Sequence, residues 1–205
     1  MPNVPPTHAE PPRGVNHVVL NVRNLEASHA FWTDIMGFRC VAEVKPVPGR
    51  RRPKMRFYSG LDAAGQVTHH DIALAEIPQV EGTADRTGEP PPWDLMPKRV
   101  GLNHVAVAWP DRESWLRQVA FLRSRGVPFL RRVNHGMTHS VYIADPDGHG
   151  IEVLYELPRA VWEQDIDAAQ NYAEMLSTEG DEALLDRTDN PVFGAPAARP
   201  VASPA

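Results

Sequence analysis

Two stretches of this sequence read almost alike: "NHVVLNV" over Asn16–Val22 and "NHVAVAW" over Asn103–Trp109. They lie 87 positions apart, and each begins with Asn-His-Val and continues as an alternating or apolar run. Each is preceded by a glycine and an aliphatic residue, Gly14-Val15 in one case and Gly101-Leu102 in the other. A chance tripeptide would not bring its surroundings with it. The repetition therefore points to an internal duplication, and the period of the repeat governs the rest of the reading.

Reading outward from the first stretch, Val15–Val22 forms a strand pattern. "NLEASHAFWTDIMGF" follows with Asn24 as N-cap, an apolar face of Ala27, Ala30, Phe31, Ile35 and Met36, and Gly37 as the stop. Three β-type runs come next: "RCVAEV", "KMRFYSG" and "HHDIALAEI". The second copy repeats the order. After its strand, "DRESWLRQVAFLRSRGV" is a helix capped at Asp111 and stopped at Gly126, and "FLRRVNH", "HSVYIADP" and "GIEVLYE" are strands. "DPDG" supplies the last hairpin turn. The fold class is α+β, two tandem βαβββ modules over 14–78 and 101–157, whose sheets are expected to curve around a shared cleft. Residues 79–100 connect them, a proline-containing stretch of a length that often lies over a functional site. Residues 158–194 extend the second module, with helical spacing over Pro158–Leu176. Packing of that helix on its own sheet or across a subunit boundary stays open, and with it a homo-oligomer.

Composition bounds the function. The 205 residues carry a formal net charge of −5, which gives no reason to expect nucleic acid or an anionic membrane as partner. The 42% hydrophobic content is slightly low because residues 1–13 and 195–205 are proline- and alanine-rich and expected to be disordered. A basic cluster, Lys45, Arg50, Arg51, Arg52, Lys54 and Arg56, reads either as a solvated loop or as a collar for an anionic substrate. The single cysteine, Cys40, rules out an intrachain disulfide framework and a cysteine-based metal site. No signal-peptide pattern and no membrane-length apolar run is present, so a cytoplasmic protein is expected.

The residues that carry chemistry fall at matching places. His17 and His104 occupy the same position in the two copies, so a pseudo-twofold arrangement would turn both toward the cleft; each could equally be a histidine bonded within its sheet. Glu152 sits among Ile151, Val153 and Leu154, where an ionised carboxylate is costly unless paired or coordinated. Strand parity alone does not decide which way it faces. Two imidazoles and one carboxylate leave open coordination positions, a set that suits Fe(II) or Mn(II).

"GVNHVVLNV", "GLNHVAVAW" and "HSVYIADPDGHGIEVLYE" resemble the vicinal oxygen chelate superfamily, which is built from paired βαβββ modules around a metal site. "HHDIALAEI" and the Tyr142-to-Glu152 spacing resemble the small one-domain type I extradiol dioxygenases of the catechol 2,3-dioxygenase kind. The resemblance implies His17, His104 and Glu152 as metal ligands, Fe(II) with Mn(II) as substitute, and a catechol-type aromatic diol and O₂ as reactants. It implies His70 as acid/base and Tyr142 as the residue that bonds a catecholate oxygen. His135 resembles a further family histidine but lies seven positions before Tyr142 rather than nine, which leaves His139 as its competitor. The implied reaction is metal-dependent ring cleavage. A glyoxalase-like isomerase or epimerase is the alternative, with a metal-free sequestering protein behind it.

Overall fold

The computed structural model describes residues 15–45, 48–49, 53–77, 92–95 and 101–194. Both expected disordered tails, Arg50–Arg52 and most of the 79–100 connection lie outside the described residues. The chain divides into two compact units, residues 1–82 and 83–205. Each contains one βαβββ module built on a mixed sheet.

In the first unit, β1 (Val18–Val22) alternates as its sequence does: Leu20 and Val22 are buried, Val19 and Asn21 exposed. It pairs in parallel with β4 (Ile72–Glu76), which pairs antiparallel with β3 (Met55–Ser59), and that in turn with β2 (Arg39–Glu43). The parallel pair needs a crossover, and α1 (Leu25–Ala30) begins it, with the Asn24 side chain accepting from the Glu26 and Ala27 amides. The helix does not keep the expected face. Phe31–Ile35 forms a π-helical turn closed by Met36 N–H to the Phe31 carbonyl. The wider turn brings adjacent Phe31 and Trp32 inward with Met36, while Ala27 and Ala30 stay exposed. Of the basic cluster, Lys45 pairs with Glu43, Lys54 with Glu76 and Arg56 with Glu26, so those three charges are already matched.

In the second unit the strand order is β5 (His104–Ala108), β8 (Gly150–Glu156), β7 (Thr138–Ala144), β6 (Arg131–Asn134) and β9 (Glu174–Met175). α2 (Arg112–Ser124) covers one face. Its Trp115 is fully buried, donates Nε1–H to the Val153 carbonyl at 3.0 Å, and packs its ring 5.1 Å from Tyr155. Ile151, Val153 and Tyr155 are thereby fixed on the helix side of β8, and Gly150, Glu152 and Leu154 on the other. That placement settles the direction of Glu152.

The helix expected over Pro158–Leu176 is interrupted. Asp165 caps a new short helix, α3 (Ile166–Gln170), by accepting from the Ala168 amide, and residues 174–175 pair with the edge of β6. Sheet hydrogen bonds to an open edge replace the helical ones there. Among the described residues no helix is long and apolar enough to cross a membrane.

Replacing Asp111 by Ala should lower the unfolding free energy by about 1 kcal/mol, because Asp111 and Ser114 form a reciprocal capping box at the start of α2. Urea midpoints of the two proteins measure it, and coincident midpoints would show the cap to be dispensable.

Candidate active site

The repeated Asn-His pair has a physical meaning in both units. In the second, Asn103 donates Nδ2–H to the Leu95 carbonyl at 2.9 Å, so its Oδ1 is the atom facing His104 Nδ1 at 2.7 Å. His104 Nδ1 therefore carries a hydrogen and donates it. The other ring nitrogen, Nε2, lies 3.0 Å from Glu152 Oε2 and can exchange a proton with it. In the first unit Asn16 Oδ1 accepts from His17 Nδ1 at 2.8 Å, and its amide faces His69 Nε2 at 3.3 Å. His69 and His70 bond through their Nδ1 atoms at 2.9 Å, and the His70 ring lies 4.4 Å from that of His17 and 5.0 Å from Phe57. Partial burial, then the charges His17 and His69 would carry, hold His70 below the ordinary imidazole pKa.

Four of the residues singled out in the sequence, His104, His135, Tyr142 and Glu152, come together on the second sheet. Tyr142 and Glu152 are directly paired across β7 and β8. His135 Nε2 is 3.0 Å from the Tyr142 hydroxyl and 4.0 Å from Glu152 Oε1. Ser140, two residues before Tyr142 and so on the same face, donates Oγ–H to Glu152 Oε1 at 2.7 Å. A cavity of about 260 Å³ opens over this face, lined by Tyr142, Glu152, His135, Met137, Thr138 and Leu154, with Gln170 of α3. Burial, then the Glu152 charge, pushes the Tyr142 phenol above its ordinary pKa, so it stays protonated. Burial lowers His135, whose ring is neutral at pH 7. His139 lies elsewhere: it is 1% exposed and bonds Asp186 and Asn190.

The expectation of Fe(II), or Mn(II), is overturned. Among the described residues no group of three or more His, Cys, Asp or Glu side chains is placed to hold a metal ion. The donors are engaged with one another instead. Glu152 accepts from Ser140 through one oxygen and faces His104 with the other, and His135 Nε2 is bonded to Tyr142. Among the described residues no metal-binding cleft is identified, and the donors around Glu152 do not fit the metal that the resemblance implies.

Sequence reading left three contributors unnoticed: Ser140, Gln170 and Trp93. Ser140 could have been found by parity with Tyr142. Trp93 stacks on Tyr142 at 5.3 Å with planes 10° apart, and nothing in the sequence around it signals that contact.

The chain is 25% identical over 174 residues to the catechol-2,3-dioxygenase of Bacillus subtilis (strain 168), covering 84% of this chain but only 51% of that protein. It thus spans about half the length of that relative. It is 27% identical over 154 residues to the lactoylglutathione lyase of Pseudomonas putida, covering 70% of this chain and 85% of that one. The crystal structure of a glyoxylase/bleomycin resistance protein/dioxygenase domain from Frankia sp. EAN1pec has the same fold, with a TM-score of 0.53, 18% identity, and coverage of 72% of this chain and all of that one. A family model for the Glyoxalase/Bleomycin resistance protein/Dioxygenase superfamily matches residues 14–153, and the chain belongs to that superfamily.

Proposed function

We propose that this chain is a glyoxalase-like isomerase, moving a proton between adjacent carbons of a small α-hydroxycarbonyl substrate. The observation that carries this reading is the Glu152 carboxylate at the cavity, with His104 Nε2 at 3.0 Å and a protonated phenol beside it. Such an isomerisation has no net redox change, so it asks for a base that can take and return a proton and for donors near the substrate oxygen. Glu152 removes the proton from the carbon next to the carbonyl. Negative charge then grows on the carbonyl oxygen, where Tyr142 donates its hydroxyl hydrogen while His135 holds the phenol oxygen from behind. Glu152 returns the proton to the neighbouring carbon, the substrate's original hydroxyl gives its hydrogen back to the Tyr142 oxygen as it becomes the new carbonyl, and the product leaves as an isomer. His104, its Nδ1–H fixed by Asn103, presents Nε2 as the site that shares the Glu152 proton during the cycle. The P. putida lyase supports this reading, since the match covers most of that protein's length.

The test uses the hemithioacetal formed from methylglyoxal and glutathione, followed in D₂O by NMR. Conversion to the thioester, with solvent deuterium appearing at the receiving carbon, is the expected result. No conversion above the uncatalysed rate would remove the reading.

Ring-opening oxygenation of a catechol-type diol is the second reading, favoured by the B. subtilis relative and the bonded His135–Tyr142 pair. In it Tyr142, bonded to His135, would hold a diol oxygen at the cavity. O₂ consumption with catechol, absent with the hemithioacetal, would favour it over the first.

A further inference from the structure

Trp93 is held by more contacts than a surface loop residue needs. Its Nε1–H donates to the Asn103 carbonyl at 2.7 Å. One ring face lies parallel to Tyr142, and the indole meets His104 edge-on at 6.3 Å and 85°. The indole sits where Gly150 lacks a side chain: a Cβ there would fall 2.1 Å from Nε1. Two residues on, the Leu95 carbonyl accepts from Asn103 Nδ2 and so fixes which end of that amide faces His104.

We propose that Trp93 is a positioning residue of this site: it fixes the Tyr142 and His104 rings and anchors the 92–95 segment that orients the Asn103 amide. The physical sequence is short. Aromatic pairs in offset or edge-on geometry hold ring planes against rotation. If the indole leaves, the Leu95 carbonyl is no longer held beside Asn103, and the amide is free to turn. A turned amide presents N–H to His104 Nδ1, which must then accept, and the ring hydrogen moves to Nε2. Nε2 could no longer take a proton from Glu152. Trp93 acts through its neighbours and touches no reacting atom.

The activity readout rests on the isomerase reading; the spectroscopic one does not. Wild type, W93A, W93F and G150A are compared by ¹⁵N NMR of the His104 ring, assigned through its loss in H104Q, and by kcat and KM on the hemithioacetal. Wild type should show hydrogen on Nδ1. In W93A and G150A the two ring nitrogens should move toward a mixture of tautomers, and kcat should fall about 10- to 100-fold. KM should stay within about threefold, because the lost effect is on the transition state. W93F keeps a stacking ring and should restore the His104 signature. Unchanged His104 nitrogens in W93A and G150A, or a W93F protein as impaired as W93A, would overturn the proposal. If W93A does not fold, G150A and W93F decide it. If wild type lacks activity on the hemithioacetal, the isomerase reading falls and the His104 spectra alone judge Trp93.

Discussion

Replacing Glu152 by Gln is expected to lower kcat for the proton transfer by about 10²–10⁴-fold, the usual contribution of a general base. Gln has nearly the same shape, and its carbonyl oxygen can still accept from Ser140 Oγ, which now bonds Glu152 Oε1 at 2.7 Å. Only the basicity is lost. KM should therefore change little and kcat should carry the effect. The stability expectation runs the other way. Glu152 is 7% exposed among apolar residues of β8, and a neutral amide there avoids burying a charge, so the Tm of E152Q should equal or exceed that of wild type. Deuterium incorporation and thermal melts on the same preparations measure both. A kcat within tenfold of wild type would move the base to another group, with His104 Nε2 the nearest at 3.0 Å.

The duplicated Asn-His stretch made the two modules legible, because a strand, a helix and three strands recur after each copy. The site was legible in part. Glu152 stood out by its apolar neighbours and Tyr142 through the family resemblance, and their direct cross-strand pairing is what a hairpin turn at Asp145–Gly148 produces. The choice between His135 and His139 could also have been made: His139 and Tyr142 are three residues apart on one strand and so face opposite sides. Other features depend on contacts far apart in sequence. Nothing local marks Phe31–Ile35 as a π-turn, and nothing near Trp93 foretells that it settles against Gly150 and Tyr142. The metal expectation failed for a related reason. Residue types at matching positions say nothing about which lone pairs the folded chain has already engaged, and here Ser140 engages one oxygen of Glu152 while the other faces His104 Nε2.

Asp186 shows the same dependence on distant contacts, and its removal carries the largest stability effect expected. Its side chain is fully buried, with His139 Nδ1 at 2.6 Å, the Tyr155 hydroxyl at 2.8 Å and Arg112 Nε at 2.6 Å, so residues 181–190 are tied to α2, β7 and β8 through one carboxylate. Asn134 Oδ1 accepts from the Gly136 amide, so its Nδ2 is the donor to Asn190 Oδ1, and that same oxygen faces His139 Nε2 at 2.7 Å. Both His139 nitrogens thus face oxygen partners, Asp186 Oδ1 and Asn190 Oδ1. Asp186→Ala leaves a buried imidazole, a phenol and a guanidinium without their common partner. The expected cost is about 3–5 kcal/mol, the range for breaking a buried ion pair from one side. Arg112 can reach solvent and should hold the effect toward the lower end. The pH dependence has a definite sign. Burial alone would raise the Asp186 pKa, but the bonds from His139, Tyr155 and Arg112 together hold it below the ordinary value of 3.8. The carboxylate's contribution is then fully present above that ordinary value and is lost as pH falls through the lower, folded one. The stability gap between wild type and D186A should be constant from neutral pH down to about pH 4 and narrow below it. Urea unfolding across that range measures the gap, and a difference under about 1 kcal/mol at neutral pH, the size of one ordinary hydrogen bond, would show that the C-terminal segment is held by other contacts.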